Sequence, residues 1–142
     1  MCSSDLPSGL LGGPPGGALG IGDFTILTSP NNPTGDLVDA RFVERVLNAS
    51  DALVMVDEAY FEFSRRTVRP LLDAHENLVV LRTFSKAFAL AGVRMGYLLG
   101  NEHVLCEFKK VRQPYSVDAV SQAIARVVFA RRAEVRSRPE SS

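Results

Sequence analysis

Short blocks of contiguous apolar residues alternate along the chain with stretches in which apolar positions recur every three or four residues. The first block, Phe24, Thr25, Ile26, Leu27 and Thr28, has strand composition. It runs into residues 29–35, Ser-Pro-Asn-Asn-Pro-Thr-Gly, a dense cluster of turn formers. Asp36 is then a plausible helix N-cap with Asp39 in the first turn, and Val38, Phe42, Val43, Val46 and Leu47 share one helical face before Asn48 and Ser50 end it. Residues 52–56 form a second buried strand that ends in Asp57, Glu58, Ala59 and Tyr60. An irregular connection over 61–77 carries a short helical turn around Leu71 and Leu72. Leu78, Val79, Val80 and Leu81 then give a continuous apolar run, the pattern of a strand covered on both faces.

Beyond Gly92 the chain turns back quickly, so residues 93–99 read as a fourth strand, antiparallel to the others. Residues 102–111 read as a helix with Val104, Leu105, Phe108 and Val111 on one face, broken by Pro114. A further helix over 117–129 is expected to bury Val120, Ile124, Val127 and Val128, and the tail over 131–142 has no apolar face and reads as frayed. Alternating strands and helices predict the α/β class, with a mainly parallel sheet, flanking helices and right-handed crossovers. The glycine- and proline-rich residues 1–22 lack the basic start and apolar core of a signal peptide and are set aside as a non-native or disordered lead. The chain is thus divided into 1–22, a central 23–113 and a helical 114–142.

Composition changes this picture little. The 142 residues suffice for one domain, 46% are hydrophobic, and a mean hydropathy of +0.06 is ordinary for a globular protein. Sixteen basic residues against sixteen acidic ones leave no net charge, so nothing draws the whole chain toward nucleic acid or anionic lipid. The apolar runs are too short to span a membrane. Cys2 and Cys106 stand far apart without metal-ligand spacing, which points to a reducing compartment, by default the cytoplasm, rather than to a disulfide framework.

Candidate chemistry gathers at the strand ends. Lys86 follows the third strand, where α/β sheets bind ligands, and a lysine partly desolvated among Phe84, Phe88 and Leu90 can act as a nucleophilic amine. Thr83, Ser85 and Arg94 flank it with two hydroxyls and a guanidinium able to converge on one phosphate. A reactive amine beside a phosphate site suggests pyridoxal 5'-phosphate. Asp57 could pair with a protonated pyridine nitrogen, while Tyr60 and Asn32 could bind an oxygen on the same ring. Each residue also has a plain reading: Lys86 as a surface lysine, Asp57 as a helix cap, Asn32 as an Asx-turn beside Pro33. No metal site is expected.

Taken together, Asn31-Asn32-Pro33-Thr34-Gly35, Asp57-Glu58-Ala59-Tyr60 with Phe61-Glu62-Phe63, and the block over 82–97 resemble the fold type I pyridoxal-phosphate aminotransferases, class I/II, and within them the histidinol-phosphate branch. The resemblance covers residues 24–129 and implies a partial large domain of that fold. It implies that Lys86 is the Schiff-base lysine and proton shuttle, that Asp57 keeps the pyridine nitrogen protonated, that Tyr60 and Asn32 bind the ring oxygen, and that Thr83, Ser85 and Arg94 hold the phosphate. The implied partners are an amino-acid-like phosphate substrate and 2-oxoglutarate, with a second copy of the parent chain as a dimer partner. Upstream phosphate contacts, a stacking aromatic and a substrate-gripping arginine of the family have no counterpart here, so the chain reads as an internal fragment, inactive alone. A threonine-phosphate decarboxylase, another class I/II aminotransferase and a non-catalytic sensor domain are the alternatives.

Overall fold

The computed structural model describes residues 24–49, 51–113 and 116–136. Four strands form one sheet in the order β1 (Phe24–Thr28), β2 (Leu53–Asp57), β3 (Leu78–Thr83), β4 (Gly96–Gly100). The first three are parallel and β4 runs antiparallel to β3. This is the expected α/β arrangement, with sequential strands as neighbours. The readings that fall on residues 1–22 and on Pro114 lie outside the described residues.

Helix α1 (Ala40–Ala49) covers one face of the sheet: its Val43 and Leu47 pack with Val54, Val56, Leu78 and Val80, all almost fully buried. Its cap is Asp39 rather than Asp36, since Asp39 Oδ1 accepts the Arg41 N–H at 2.8 Å. The Asp36 carbonyl is instead drawn into the preceding loop, where it accepts the Asn31 N–H at 2.8 Å. Phe42, placed on the buried face by periodicity, is 44% exposed.

Helix α3 (Glu102–Val111) buries Val104 and Cys106 and leaves Val111 exposed. Asn101 caps it, accepting the His103 N–H at 3.3 Å. Cys106 is disulfide-bonded, against the expectation of reduced thiols. Separation along a chain does not measure separation in space, which is where the spacing argument fails.

Helix α4 (Ala119–Ala130) departs most from its sequence pattern. Ser121 and Ala125 are its buried positions, with Val128 half-buried, while Val120, Ile124 and Val127 are exposed. Moving the contact face by one residue turns a helix by about 100°. Ala125 and Val128 pack on the side of α4 that meets the rings of Phe84, Phe88 and Tyr97, a second core. Asp118 sets the start, accepting both the N–H (2.9 Å) and the hydroxyl (2.6 Å) of Ser121. The tail expected to fray carries a short helix, α5 (Arg132–Arg136).

The fourth strand starts later than the pattern suggests, because Ala91–Val93 forms a 3-10 turn and Arg94 takes a left-handed conformation with φ 54°. Gly96 then has to be glycine, since a Cβ there would lie 2.7 Å from the Arg82 carbonyl oxygen. Close approach at this point brings the returning chain against the end of β3.

Candidate active site

Parallel strands β1, β2 and β3 end at the same edge, and their alternation assigns the residues there to opposite faces of the sheet. On the face away from α1, a cleft of about 390 Å³ is lined by Asp57, Thr83, Ser85, Lys86, Arg94 and Gly96, among others. Five of the seven sequence-predicted residues therefore share one cavity. The other two meet beside it: Asn32 Nδ2 donates to the Tyr60 hydroxyl oxygen at 3.1 Å. Lys86 links the two groups, with its Nζ 5.3 Å from the centre of the Tyr60 ring.

Backbone order fixes most of these positions. Asp57 closes β2, paired in register with Leu81 on one side and Thr28 on the other, and its Oδ1 accepts the Ala59 N–H at 2.9 Å. That bond is an Asx turn rather than the helix cap also considered for Asp57, because the next helix starts at Phe61, and it engages one carboxylate oxygen. Thr83 donates its hydroxyl to the Met95 carbonyl (3.2 Å) and accepts the Ser85 N–H (3.1 Å). Lys86 sits in a tight turn in which its carbonyl accepts the Ala89 N–H at 2.9 Å, Ala89 being left-handed at φ 55°. Arg94 donates to the Ala91 carbonyl at 3.1 Å.

Lys86 is not surrounded by Phe84, Phe88 and Leu90 as its neighbours in sequence suggest. It is exposed, while Phe84 and Phe88 are buried in the second core with Leu90 packed against them. The turn at 84–90 sends the aromatic rings to the core and the amine to the cleft. Lys86 thereby presents a solvent-facing amine to the cleft that Asp57, Thr83, Ser85 and Arg94 also line.

The residues that sequence reasoning missed lie on the opposite face of the same strand ends. Glu58 is 1% exposed and Arg82 6%. Arg82 Nε and Nη2 donate to Glu58 Oε2 at 3.0 and 2.8 Å, the Thr67 hydroxyl donates to the same oxygen at 2.9 Å, and the Val68 N–H donates to Oε1 at 2.7 Å. Arg82 Nη2 also donates to Thr67 Oγ1 at 2.9 Å, and the guanidinium carbon stands 3.6 Å from the centre of the Phe61 ring. The sequence signal was present: a charged residue within two positions of each of two buried apolar runs needs a partner.

Residues 21–141 match the family described as Aminotransferase class I and II. The chain belongs to that family. It is 52% identical over 107 residues to histidinol-phosphate aminotransferase 1 of Carboxydothermus hydrogenoformans, an alignment covering 75% of this chain and 30% of that protein. With the histidinol-phosphate aminotransferase of Thermoanaerobacter pseudethanolicus it shares 46% over 102 residues, 72% of this chain and 29% of the relative. The chain thus spans about 30% of the length of the curated relatives it matches.

Among solved structures, the histidinol-phosphate aminotransferase of Sinorhizobium meliloti in complex with pyridoxal-5'-phosphate superposes with a TM-score of 0.70 at 29% identity, over 80% of this chain and 32% of that one. The L-threonine-O-3-phosphate decarboxylase of Porphyromonas gingivalis gives 0.71 at 28%, over 80% and 36%. The expected fold class, a partial large domain of this type of transferase, agrees with these neighbours.

Proposed function

We propose that this chain is the cofactor-binding core of a pyridoxal-phosphate-dependent aminotransferase that moves an amino group between histidinol phosphate and 2-oxoglutarate. One observation carries the reading: Asp57, Thr83, Ser85, Lys86 and Arg94 line a single cleft at the carboxyl ends of parallel strands. The donor set suits the cofactor, with an amine for its aldehyde, a carboxylate for its ring nitrogen, and two hydroxyls and a guanidinium for its phosphate. The relatives' names support the substrate. In this reading the protein works as a cytoplasmic homodimer.

Pyridoxal phosphate, when bound, supplies an electron sink for charge developing on the substrate carbon. Lys86 would hold the cofactor through Nζ and would carry the proton moved at the substrate carbon. Asp57 would hold the ring nitrogen and keep a proton on it. Tyr60, oriented by the amide of Asn32, would donate its hydroxyl to the ring oxygen. Thr83, Ser85 and Arg94 would bind the phosphate and so orient the ring.

The likeness to a threonine-phosphate decarboxylase favours a second reading, because both substrates are phosphorylated amines. An assay of the full-length protein with each substrate separates the two. The first reading expects glutamate to form from 2-oxoglutarate when histidinol phosphate is supplied. Release of carbon dioxide from threonine phosphate without glutamate formation would replace it with the second.

A further inference from the structure

The buried pair on the back of the sheet bears on the cleft in front of it. We infer that Glu58, Arg82 and Thr67 form a positioning network that fixes Asp57, the Tyr60 turn and the segment leading to Lys86 relative to one another. The inference rests on the cofactor-binding reading of the cleft. Its physical basis is connectivity. Glu58 follows Asp57 and precedes Tyr60 by two residues, while Arg82 precedes Thr83 and stands four residues before Lys86. Their side chains join the two strand ends across the β2–β3 ladder, where the Glu58 N–H also donates to the Leu81 carbonyl at 2.9 Å.

The same two residues close the connection that carries Tyr60. Glu58 gathers the Thr67 hydroxyl and the Val68 N–H, so residues 58–68 form a loop tied at its far end to its own start. Inside that loop α2 (Phe61–Ser64) begins directly after Tyr60, and the Arg82 guanidinium stacks on Phe61. Four donors on one carboxylate and a planar fork on the other partner leave little freedom to rotate or slide. Simple filling of this space would be served as well by apolar side chains, and a buried ion pair is weak as a source of stability. What such a pair adds over apolar residues is direction, and here the directed elements are those that carry the cleft.

The test uses the full-length protein and three variants: the apolar double replacement Glu58→Leu with Arg82→Met, the charge-retaining Arg82→Lys, and Thr67→Val. Three quantities are measured: thermal midpoint without cofactor, the dissociation constant for pyridoxal phosphate, and the pH midpoint of the visible band of the lysine-bound cofactor. The double variant is expected to fold and to melt near the parent, while binding the cofactor about 10- to 100-fold more weakly, the range for groups that orient ligands from behind. Its band should titrate at a different pH, and Thr67→Val should move the same quantities less. Where the double variant does not fold, Arg82→Lys decides by the same two cofactor readouts. Parental affinity and parental band titration in a folded variant would overturn the positioning role and leave the function reading intact. A parent protein that forms no lysine-bound cofactor would overturn both.

Discussion

The two faces of the same strand ends make opposite use of charge. Behind the sheet, Glu58 and Arg82 are buried and every oxygen of the carboxylate is engaged. In front, Lys86 and Arg94 are exposed and Asp57 has one oxygen on the Ala59 N–H. Buried charge without partners is expensive, so a fully saturated cluster is a structural solution. A cluster of the same residue types left with free capacity at the edge of a cleft is a binding solution. Residues one apart in sequence, 57 and 58 or 82 and 83, thus serve different ends because alternation sends them to different faces.

That contrast can be broken by substitution on either face. The largest effect is expected in front: Lys86→Ala should lower amino-group transfer by the ~10²- to 10⁴-fold typical of losing a positioned acid-base group, and further for losing the covalent link. Its thermal midpoint should hardly move, because Lys86 is exposed. Behind the sheet the balance reverses. Glu58→Ala leaves Arg82 buried without its partner and should cost about 3–5 kcal/mol of stability, read from denaturant unfolding. Parental stability in Glu58→Ala would contradict the division between the faces.

The smallest effect concerns Asp118, the cap of α4. The side-chain and backbone hydrogen bonds from Ser121 hold its carboxyl below the usual aspartate range in the folded protein. A group whose folded value is depressed adds stability above its unfolded value, and that contribution is lost as pH falls through the folded one. Asp118→Asn should therefore flatten the acid side of a melting-temperature profile against pH and leave the neutral side nearly level. An unchanged acid slope would show that the cap bond does not matter in solution.

Much of this fold could be read from the residues. Contiguous apolar runs marked β2 and β3, and the dense turn residues after Thr28 marked the end of β1, because local chemistry alone decides those features. The seven candidate residues were legible for a related reason: all sit at strand ends or in the turns that follow, and a parallel sheet brings such ends together. The face of α4 was not legible. Periodicity favours the larger residues Val120, Ile124 and Val127, yet Ala125 packs on the aromatic rings and Ser121 is buried beside the Asp118 cap. The exposure of Lys86 was missed because neighbours in a tight turn point apart. Glu58 and Arg82 were passed over because each looked like a flank of a motif, and their pairing exists only after two strands 24 residues apart become adjacent.

The exposed apolar surfaces bear on how the chain behaves. Ile26 on the edge strand is 59% exposed and Val120 on α4 is 68% exposed. Edges and faces of this kind associate, so residues 23–130 expressed by themselves should be polydisperse by light scattering. A monodisperse, cooperatively melting monomer would contradict that expectation.

The central claim is that the exposed amine in the cleft, and no other, carries the cofactor. It is tested most directly by adding pyridoxal phosphate to the full-length protein, reducing with borohydride and mapping the modified peptide. The account predicts that the label falls on Lys86. Label on Lys109 or Lys110, the exposed lysines near the end of α3, would contradict it.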